Sequence, residues 1–192
     1  MTSATVDRRA GEEYIAAEPA PTLPARTVVA VGVRAGLGAG AAMIAWEMLA
    51  AEIASEPTAI SGIGSDTWTP LTAIASFVLG IDAFTGSFVI APIALGLVLH
   101  LAVAAVVGVA GAAALVYVLG YRPGAFGAGL AGAAYGLFLE IVLLNLAVNA
   151  TQSPDVVYGA APAWTWWVAH GIYGMALGLL AARALARRGV GP

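Results

Sequence analysis

The sequence predicts an all-α integral membrane protein, a four-helix bundle with up-down-up-down connectivity. Hydrophobic residues make up 60% of the 192-residue chain and charged residues only 10%, whereas soluble domains carry about 25% charged residues. Four apolar runs each reach the roughly 20 residues that a helix needs to cross the hydrocarbon core. All basic residues, moreover, fall on one side of such a bundle. Together these observations predict the fold class.

The four predicted spans cover residues 28–53, 88–119, 125–148 and 163–182. Pro92, Pro123 and Pro162 fall near first helical turns, where the missing N–H of proline leaves no hydrogen bond unmade. The glycine and proline residues of "GYRPG", 120–124, predict a tight turn between spans two and three. We therefore predict a bundle over residues 27–187, preceded by an arm of residues 1–26 and followed by a tail of residues 188–192.

The charge distribution predicts the orientation of the bundle. With up-down-up-down connectivity, one side receives all eight basic residues: Arg8, Arg9, Arg26, Arg34, Arg122, Arg183, Arg187 and Arg188. The other side receives no basic residue, and instead has Glu52, Glu56, Asp66, Asp82 and Asp155. Because arginine is retained on the cytoplasmic side, we expect both termini to be cytoplasmic and the protein to lie in the inner, or cytoplasmic, membrane.

The regions outside the spans limit the partners. Residues 1–26 are polar and acidic and lack the apolar core of a signal peptide, so we expect a disordered cytoplasmic arm that is not cleaved. No basic run indicates nucleic-acid binding, and the absence of cysteine excludes disulfides and thiolate metal sites. The expected partners are the lipid bilayer and either further copies of the chain or other subunits of a membrane complex.

The first outer loop, 54–87, contains an apolar stretch, "TPLTAIASFVLG" at 69–80. It begins with a threonine and a proline typical of a helix start, but it is too short to cross the membrane. We expect an interfacial or re-entrant helix. Trp164, Trp166 and Trp167 at the start of span four predict an aromatic belt at the outer membrane interface.

Small residues recur at four-residue steps in every span, which predicts close helix packing in lipid. The packing ridge comprises Gly36, Gly40, Gly108, Gly132, Gly136, Gly174 and Gly178. Each span also carries one ionisable residue on this face: Glu47, His100, Glu140 and His170. Because ionisable side chains in a membrane usually face an interior partner or a cavity, we predict a buried polar cluster of these four residues, with Glu52 and Asn145 as a possible second shell.

The depth of each ionisable residue follows from the helical rise. Measured from Arg34 and Arg183, Glu47 and His170 lie about 20 Å from the cytoplasmic ends of their spans, and Glu140 about 22 Å. His100 lies about 28 Å from Leu119, about one turn further out. We therefore predict that Glu47, Glu140 and His170 lie in one layer and that His100 lies about one helical turn further from the cytoplasmic side.

Three functions remain open for such a cluster. Glu and His could pair across helices and fix the helix register, or they could exchange a proton and form the site of a proton-linked protein, including a small proton-coupled transporter. Alternatively, two carboxylates and two imidazoles could bind a metal ion, or His100 and His170 could ligate haem b. No G-x-S-x-G, H-E-x-x-H or P-loop motif occurs, and no Ser or Asp lies in a span at this depth. We therefore expect a non-enzymatic protein.

The stretches "GLGAGAAMIAWEMLAAE" in span one, "LH" followed by small residues in span two, and "AHGIYGMALG" in span four resemble a loose family of four-helix bacterial and archaeal inner-membrane proteins. One member of the wider group is associated with acid stress. The resemblance implies the fold and topology but no established activity. It also draws attention to His100 and His170, since the family carries histidines in those two spans.

Overall fold

The computed structural model of the chain describes residues 23–54, 66–84, 88–120, 124–144 and 161–188. In these segments it shows five α-helices and no β-strand. Four of the helices are long and apolar enough to cross a membrane. The all-α four-helix bundle predicted from the sequence is therefore confirmed. The predicted arm of residues 1–26 lies largely outside the described residues, as does most of the tail.

The first helix, α1, runs over Ala25–Ala54 and so begins earlier than the apolar run. The carbonyl of Pro24 accepts hydrogen bonds from the amides of Thr27 (2.8 Å) and Val28 (3.3 Å), which continues the helical hydrogen bonding to the first residues. Arg26 consequently lies inside the helix, as Arg34 does, and both side chains are exposed. The buried face has residues spaced three or four apart, as a helix packed on one side requires: Val28, Val31, Ala35, Ala39 and Met43.

The short helix predicted in the first outer loop is present as α2, Thr69–Leu79, and a 3-10 turn over Gly80–Ala83 follows it. Asp66 organises its start, because its Oδ1 accepts hydrogen bonds from the Trp68 amide (2.9 Å) and the Thr69 hydroxyl (3.1 Å). Gly80 adopts φ 62°, a left-handed conformation that favours glycine and ends the helix.

Packing contacts fix the position of α2 beside the third helix, α3, which covers Ile90–Ala113 and continues as a π-helical segment, Ala114–Val118. The Trp68 ring meets the Phe88 ring edge-on, with 5.5 Å between centroids. One turn into α2, the Leu71 carbonyl contacts Gly96 so closely that a side chain at this glycine would collide with it. The short helix thus lies against the first half of α3 rather than apart from the bundle.

The last two long helices are α4, Ala125–Leu139, with a π-helical segment over Glu140–Leu144, and α5, Ala163–Ala186. Both start where the sequence predicts. The predicted end of span three, at residue 148, lies outside the described residues. Pro162 directly precedes α5, as expected for a residue that cannot donate a backbone hydrogen bond.

The long helices contact one another in the spatial order α3, α1, α5, α4, and α3 also touches α5 and α4. Neighbours in the chain run antiparallel. Along α1 and α3, Gly32 meets Gly108 and Val109, whereas Gly40 meets Ala104 and His100. Along α4 and α5 the same reversal joins Ala128 to Gly178 and Gly136 to His170. Along α1 and α5, Gly38 meets Leu180 while Trp46 donates to the Thr165 carbonyl oxygen. These two helices are therefore also antiparallel, and the connectivity is up-down-up-down.

The predicted glycine ridge lies at the two closest helix interfaces. A Cβ added to Gly36 would collide with the carbonyl oxygen of Ala104, and one added to Gly108 would lie 2.6 Å from the carbonyl oxygen of Gly32. Between α4 and α5, side chains at Gly132 or Gly174 would each collide with the other's carbonyl oxygen. Glycine is required at these positions because backbone meets backbone.

The two ends of the bundle differ in charge, and we call them the arginine end and the acidic end. At the arginine end lie Arg26, in the first turn of α1, Arg183, in the last turn of α5, and Arg187 and Arg188, directly after α5. At the acidic end lie Glu52 and Asp66, which are held near each other because the Thr67 hydroxyl donates to Glu52 Oε2 (2.6 Å).

Candidate functional site

Glu140 and His170 form an ion-pair contact between α4 and α5, with 2.9 Å between Glu140 Oε2 and His170 Nδ1. The same Nδ1 lies 3.0 Å from the Trp166 carbonyl oxygen, one turn earlier in α5. A carbonyl oxygen only accepts hydrogen bonds, so Nδ1 carries the hydrogen. The imidazole orientation is thereby fixed, and its Nε2 is left to act as an acceptor in the neutral ring.

The glycine interface is what allows this pair to form. Gly136 lies four residues before Glu140, and a Cβ at Gly136 would collide with the carbonyl oxygen of His170 itself. The two backbones therefore approach most closely one turn from the pair. Glu140 also begins the π-helical segment of α4. π-helical turns inside α-helices are often found at functional sites, and here the change in pitch occurs at the ionisable residue.

Glu47, on α1, is buried with 4% of its surface exposed. Neither of its carboxyl oxygens has a hydrogen-bond partner among the residues that the structure describes. His170 and Glu140 both lie within electrostatic range of it. A buried carboxyl without a partner is costly in an apolar environment, so Glu47 is the unusual member of the predicted cluster.

A cavity of about 340 Å³ lies beside these groups and is lined by Glu47, His100 and His170. Most of its remaining wall is apolar and comes from all five helices, for example Met43, Ile74, Phe77, Leu99, Val103 and Leu139. Volumes of about 300–1,000 Å³ with a few polar groups in an apolar wall are typical of small-molecule sites. The structure thus brings three of the four predicted residues to one cavity and joins the fourth, Glu140, to His170.

His100 is buried, and its Nε2 donates to the carbonyl oxygen of Gly40 at 2.9 Å. Gly40 precedes Glu47 by seven residues, about 10 Å along α1, so His100 lies nearer the arginine end than Glu47 does. The predicted order of depth was therefore wrong. The prediction measured span one from Arg34, whereas α1 begins nine residues earlier, at Ala25.

The second-shell and tryptophan predictions have mixed outcomes. Glu52 is exposed and accepts a hydrogen bond from Thr67, so it does not form the second shell suggested for it. Asn145 lies outside the described residues. Trp164 and Trp167 are exposed, at 55% and 42%, but Trp166 is buried at 4% and lines the cavity. Trp166 was therefore wrongly predicted as part of an interfacial belt.

Two tyrosines that sequence reasoning did not single out connect the helices around the cavity. The Tyr173 hydroxyl donates to the carbonyl oxygen of Ala104 at 2.7 Å, and the Tyr135 hydroxyl donates to that of Val107 at 2.8 Å. Each bonds α3 from a different helix. Their position among small residues is a usable signal, because a tyrosine inside a span needs a hydrogen-bond partner for its hydroxyl.

The donor groups fit neither of the metal-containing alternatives. Within the described residues, no three Asp, Glu or His side chains come together in a way that could hold a metal ion. For a haem with two histidine ligands, His170 could present its Nε2, but the Nε2 of His100 already donates to the carbonyl oxygen of Gly40. The arrangement suits hydrogen bonding and proton exchange instead.

No known protein family, curated protein or solved structure matches this chain. The resemblance to four-helix inner-membrane proteins therefore stays a prediction.

Proposed function

We propose that this chain is a multi-pass protein of the cytoplasmic membrane with both termini in the cytoplasm. The support is the asymmetry between the arginine end and the acidic end, since arginine is retained on the cytoplasmic side. The natural chain has no cysteine, so a single introduced cysteine is a clean topology probe. A membrane-impermeant maleimide should label Glu52→Cys in intact cells and Arg188→Cys only after permeabilisation. Labelling of Arg188→Cys in intact cells, and of Glu52→Cys only after permeabilisation, would show that the orientation is the opposite of the one proposed.

For a membrane protein with this orientation, we propose a non-enzymatic, proton-linked role for the cluster of Glu47, Glu140 and His170. The observation that carries the proposal is the buried carboxyl of Glu47, which has no partner among the described residues and shares a cavity with His170. A cluster that served only to hold helices together would pair each of its members, as Glu140 and His170 are paired. Ionisable groups kept in a membrane interior without such pairing mark functional sites.

The chemistry of the cluster is suited to holding and releasing one proton. Two carboxyls and one imidazole lie within electrostatic range of one another, and histidine is the side chain whose charge changes most readily near neutral pH. Because net charge in a low-dielectric interior is expensive, a gain or loss of charge near the cavity has to be compensated by proton uptake or release. The cluster therefore couples protonation to whatever enters the cavity.

Infrared difference spectroscopy of the protein in lipid tests the proton-linked role directly. Across a pH change, the band of a buried protonated carboxyl should appear or vanish in the wild type and in Glu52→Gln, which alters an exposed glutamate of the same helix. It should be lost in Glu47→Gln. An unchanged band in Glu47→Gln and Glu140→Gln would remove the proton-linked role and leave only helix pairing.

A small proton-coupled transporter would use the same residues, and a second assay separates it from a protein that only senses protons. In liposomes loaded with a pH-sensitive dye, a transporter should move protons across the bilayer, and Glu47→Gln should abolish the movement while Glu52→Gln preserves it. Proton titration without transmembrane flux would favour a pH-responsive protein. The oligomer or larger complex expected from the sequence stays a prediction.

A further inference from the structure

We propose that the cavity beside Glu47 binds a lipophilic organic monocation, such as an alkylammonium with an aromatic or aliphatic tail, in exchange for one proton. This inference rests on the proposed proton-linked function and names the class of ligand for the same site. It is carried by three features of the described residues: the unpartnered carboxyl, the composition of the cavity wall and the position of the cavity opening.

The first feature is the charge balance of the site. The titratable side chains around Glu47 are Glu140 on α4, His170 and Tyr173 on α5, and His100 on α3, while α2 contributes none. When Glu140 and His170 are paired as carboxylate and imidazolium, an ionised Glu47 leaves one uncompensated negative charge in the interior. A proton on Glu47 removes that charge, and so does a bound monocation.

The exchange balances in atoms and charge. Glu47–COOH loses its proton to water, and the resulting carboxylate pairs with the incoming ammonium group, whose N–H bonds donate to the two carboxyl oxygens. No covalent bond to carbon changes and no electron is transferred. The site is neutral before and after, so the exchange avoids the cost of an isolated buried charge.

The second feature, the wall, selects an organic cation over a metal ion. Ca²⁺ takes six to eight oxygen ligands and Mg²⁺ about six, whereas Glu47 is the one carboxylate lining this cavity among the described residues. The rest of the wall is largely hydrocarbon and includes the aromatic rings of Phe77, Trp166 and Tyr173. Aromatic faces attract organic cations through their π-electrons, and the apolar wall accepts the tail of the ligand.

The third feature is the route of entry. Val78 of α2 and Val103 of α3 line the cavity although their side chains are 63% and 57% exposed. The cavity therefore opens on the side of the bundle, between α2 and the middle of α3. In a membrane this side faces lipid, into which a lipophilic ammonium inserts its apolar tail while its charged head stays at the interface. A ligand taken from the bilayer reaches Glu47 without passing through either end of the bundle.

Isothermal titration calorimetry of the full chain in detergent, with phenylbutylammonium as the probe and uncharged phenylbutanol as its neutral counterpart, tests the proposal. Repeating the titration in buffers of different ionisation enthalpy counts the protons released. Wild type and Glu52→Gln should bind phenylbutylammonium with release of about one proton per ligand. Glu47→Gln should bind at least about 30-fold more weakly, because a buried charge pair loses one partner.

A second variant keeps the test informative if Glu47→Gln does not fold. Val78→Phe leaves the carboxyl intact and narrows the opening, so it should weaken binding of phenylbutylammonium while the protein still unfolds at the wild-type temperature. Full-strength binding to Val78→Phe would overturn the assigned location. Equal binding of phenylbutanol, or of phenylbutylammonium to Glu47→Gln, would overturn the role of the carboxyl.

The remaining outcomes separate this inference from the proposed function. If the wild type binds no phenylbutylammonium but its carboxyl band still titrates in the infrared measurement, the cation site is refuted and the proton-linked role stands. If phenylbutylammonium binds without any proton release while the carboxyl band still titrates, the exchange is refuted and the proton-linked role stands; if the band does not titrate either, both are refuted.

Discussion

Replacing Gly174 by alanine should open the α4–α5 interface, because this glycine has no room for a methyl group. A Cβ at Gly174 would collide with the carbonyl oxygen of Gly132 and would lie 2.7 Å from the amide nitrogen of Gly136, whereas carbon atoms pack at about 3.5–4.0 Å. Both obstacles are backbone and cannot rotate away. We expect the upper end of the overpacking cost, about 3 kcal/mol, less about 1 kcal/mol from the better helix propensity of alanine.

The matched control lies three residues away on the same helix. At Gly171 the nearest atom to an added Cβ is Leu137 Cδ2, at 4.0 Å, which is an ordinary contact. Gly171→Ala should therefore be neutral or stabilising by up to about 1 kcal/mol, and the two variants should differ by roughly 3 kcal/mol in free energy of unfolding.

Reversible unfolding in mixed detergent micelles, followed by tryptophan fluorescence and circular dichroism, measures both variants. The expected order of stability is Gly171→Ala, then wild type, then Gly174→Ala. Equal stability of the two variants would show that α4 and α5 do not meet backbone to backbone, and the geometry described for Glu140 and His170 would lose its basis.

Two further predictions concern single side chains. Tyr173→Phe removes a buried interhelical hydrogen bond and should cost about 0.6–1.7 kcal/mol of unfolding free energy. Tyr117→Phe removes only an exposed hydrogen bond to the Leu23 carbonyl oxygen (3.3 Å) and should cost less in the same unfolding assay; equal losses would contradict the contribution assigned to the Tyr173 bond. His170→Ala removes the ion-pair partner of the buried Glu140 and should lower the free energy of unfolding by about 3–5 kcal/mol. The control Leu130→Ala, on the exposed face of α4, should lower it by no more than about 0.5 kcal/mol. Thermal unfolding measures both variants, and equal losses of stability would contradict the buried pair.

The spans could be predicted because each depends only on the local run of apolar residues. Hydropathy gave the start of α4 and α5 to the residue, and the four-residue spacing of glycines identified the faces that meet. What hydropathy could not give is the true start of α1, because Arg26 ends the apolar run without ending the helix. A helix can carry arginine side chains that are exposed to solvent. An arginine therefore indicates where the apolar surface of a helix ends and not where the helix itself ends.

The site could be predicted only in its membership. Periodicity brought Glu47, His100 and His170 to the inner face, but which of them pair depends on the relative sliding of helices, which a single sequence does not contain. The bond from His100 to the backbone of Gly40 and the burial of Trp166 both follow from that sliding. The contribution of α2 to the cavity could not be predicted either, because nothing in the sequence of residues 69–80 specifies that Phe77 and Val78 line it.

The order of helix contacts has a consequence for how the protein is made. Glycine-to-backbone packing joins α1 to α3 and α4 to α5, so each half is a pair of successive spans able to associate as soon as both have left the ribosome. The halves meet chiefly through α1 and α5, and these two helices supply Glu47 and His170. The two residues therefore share a cavity only once both halves have been synthesised and have packed against each other.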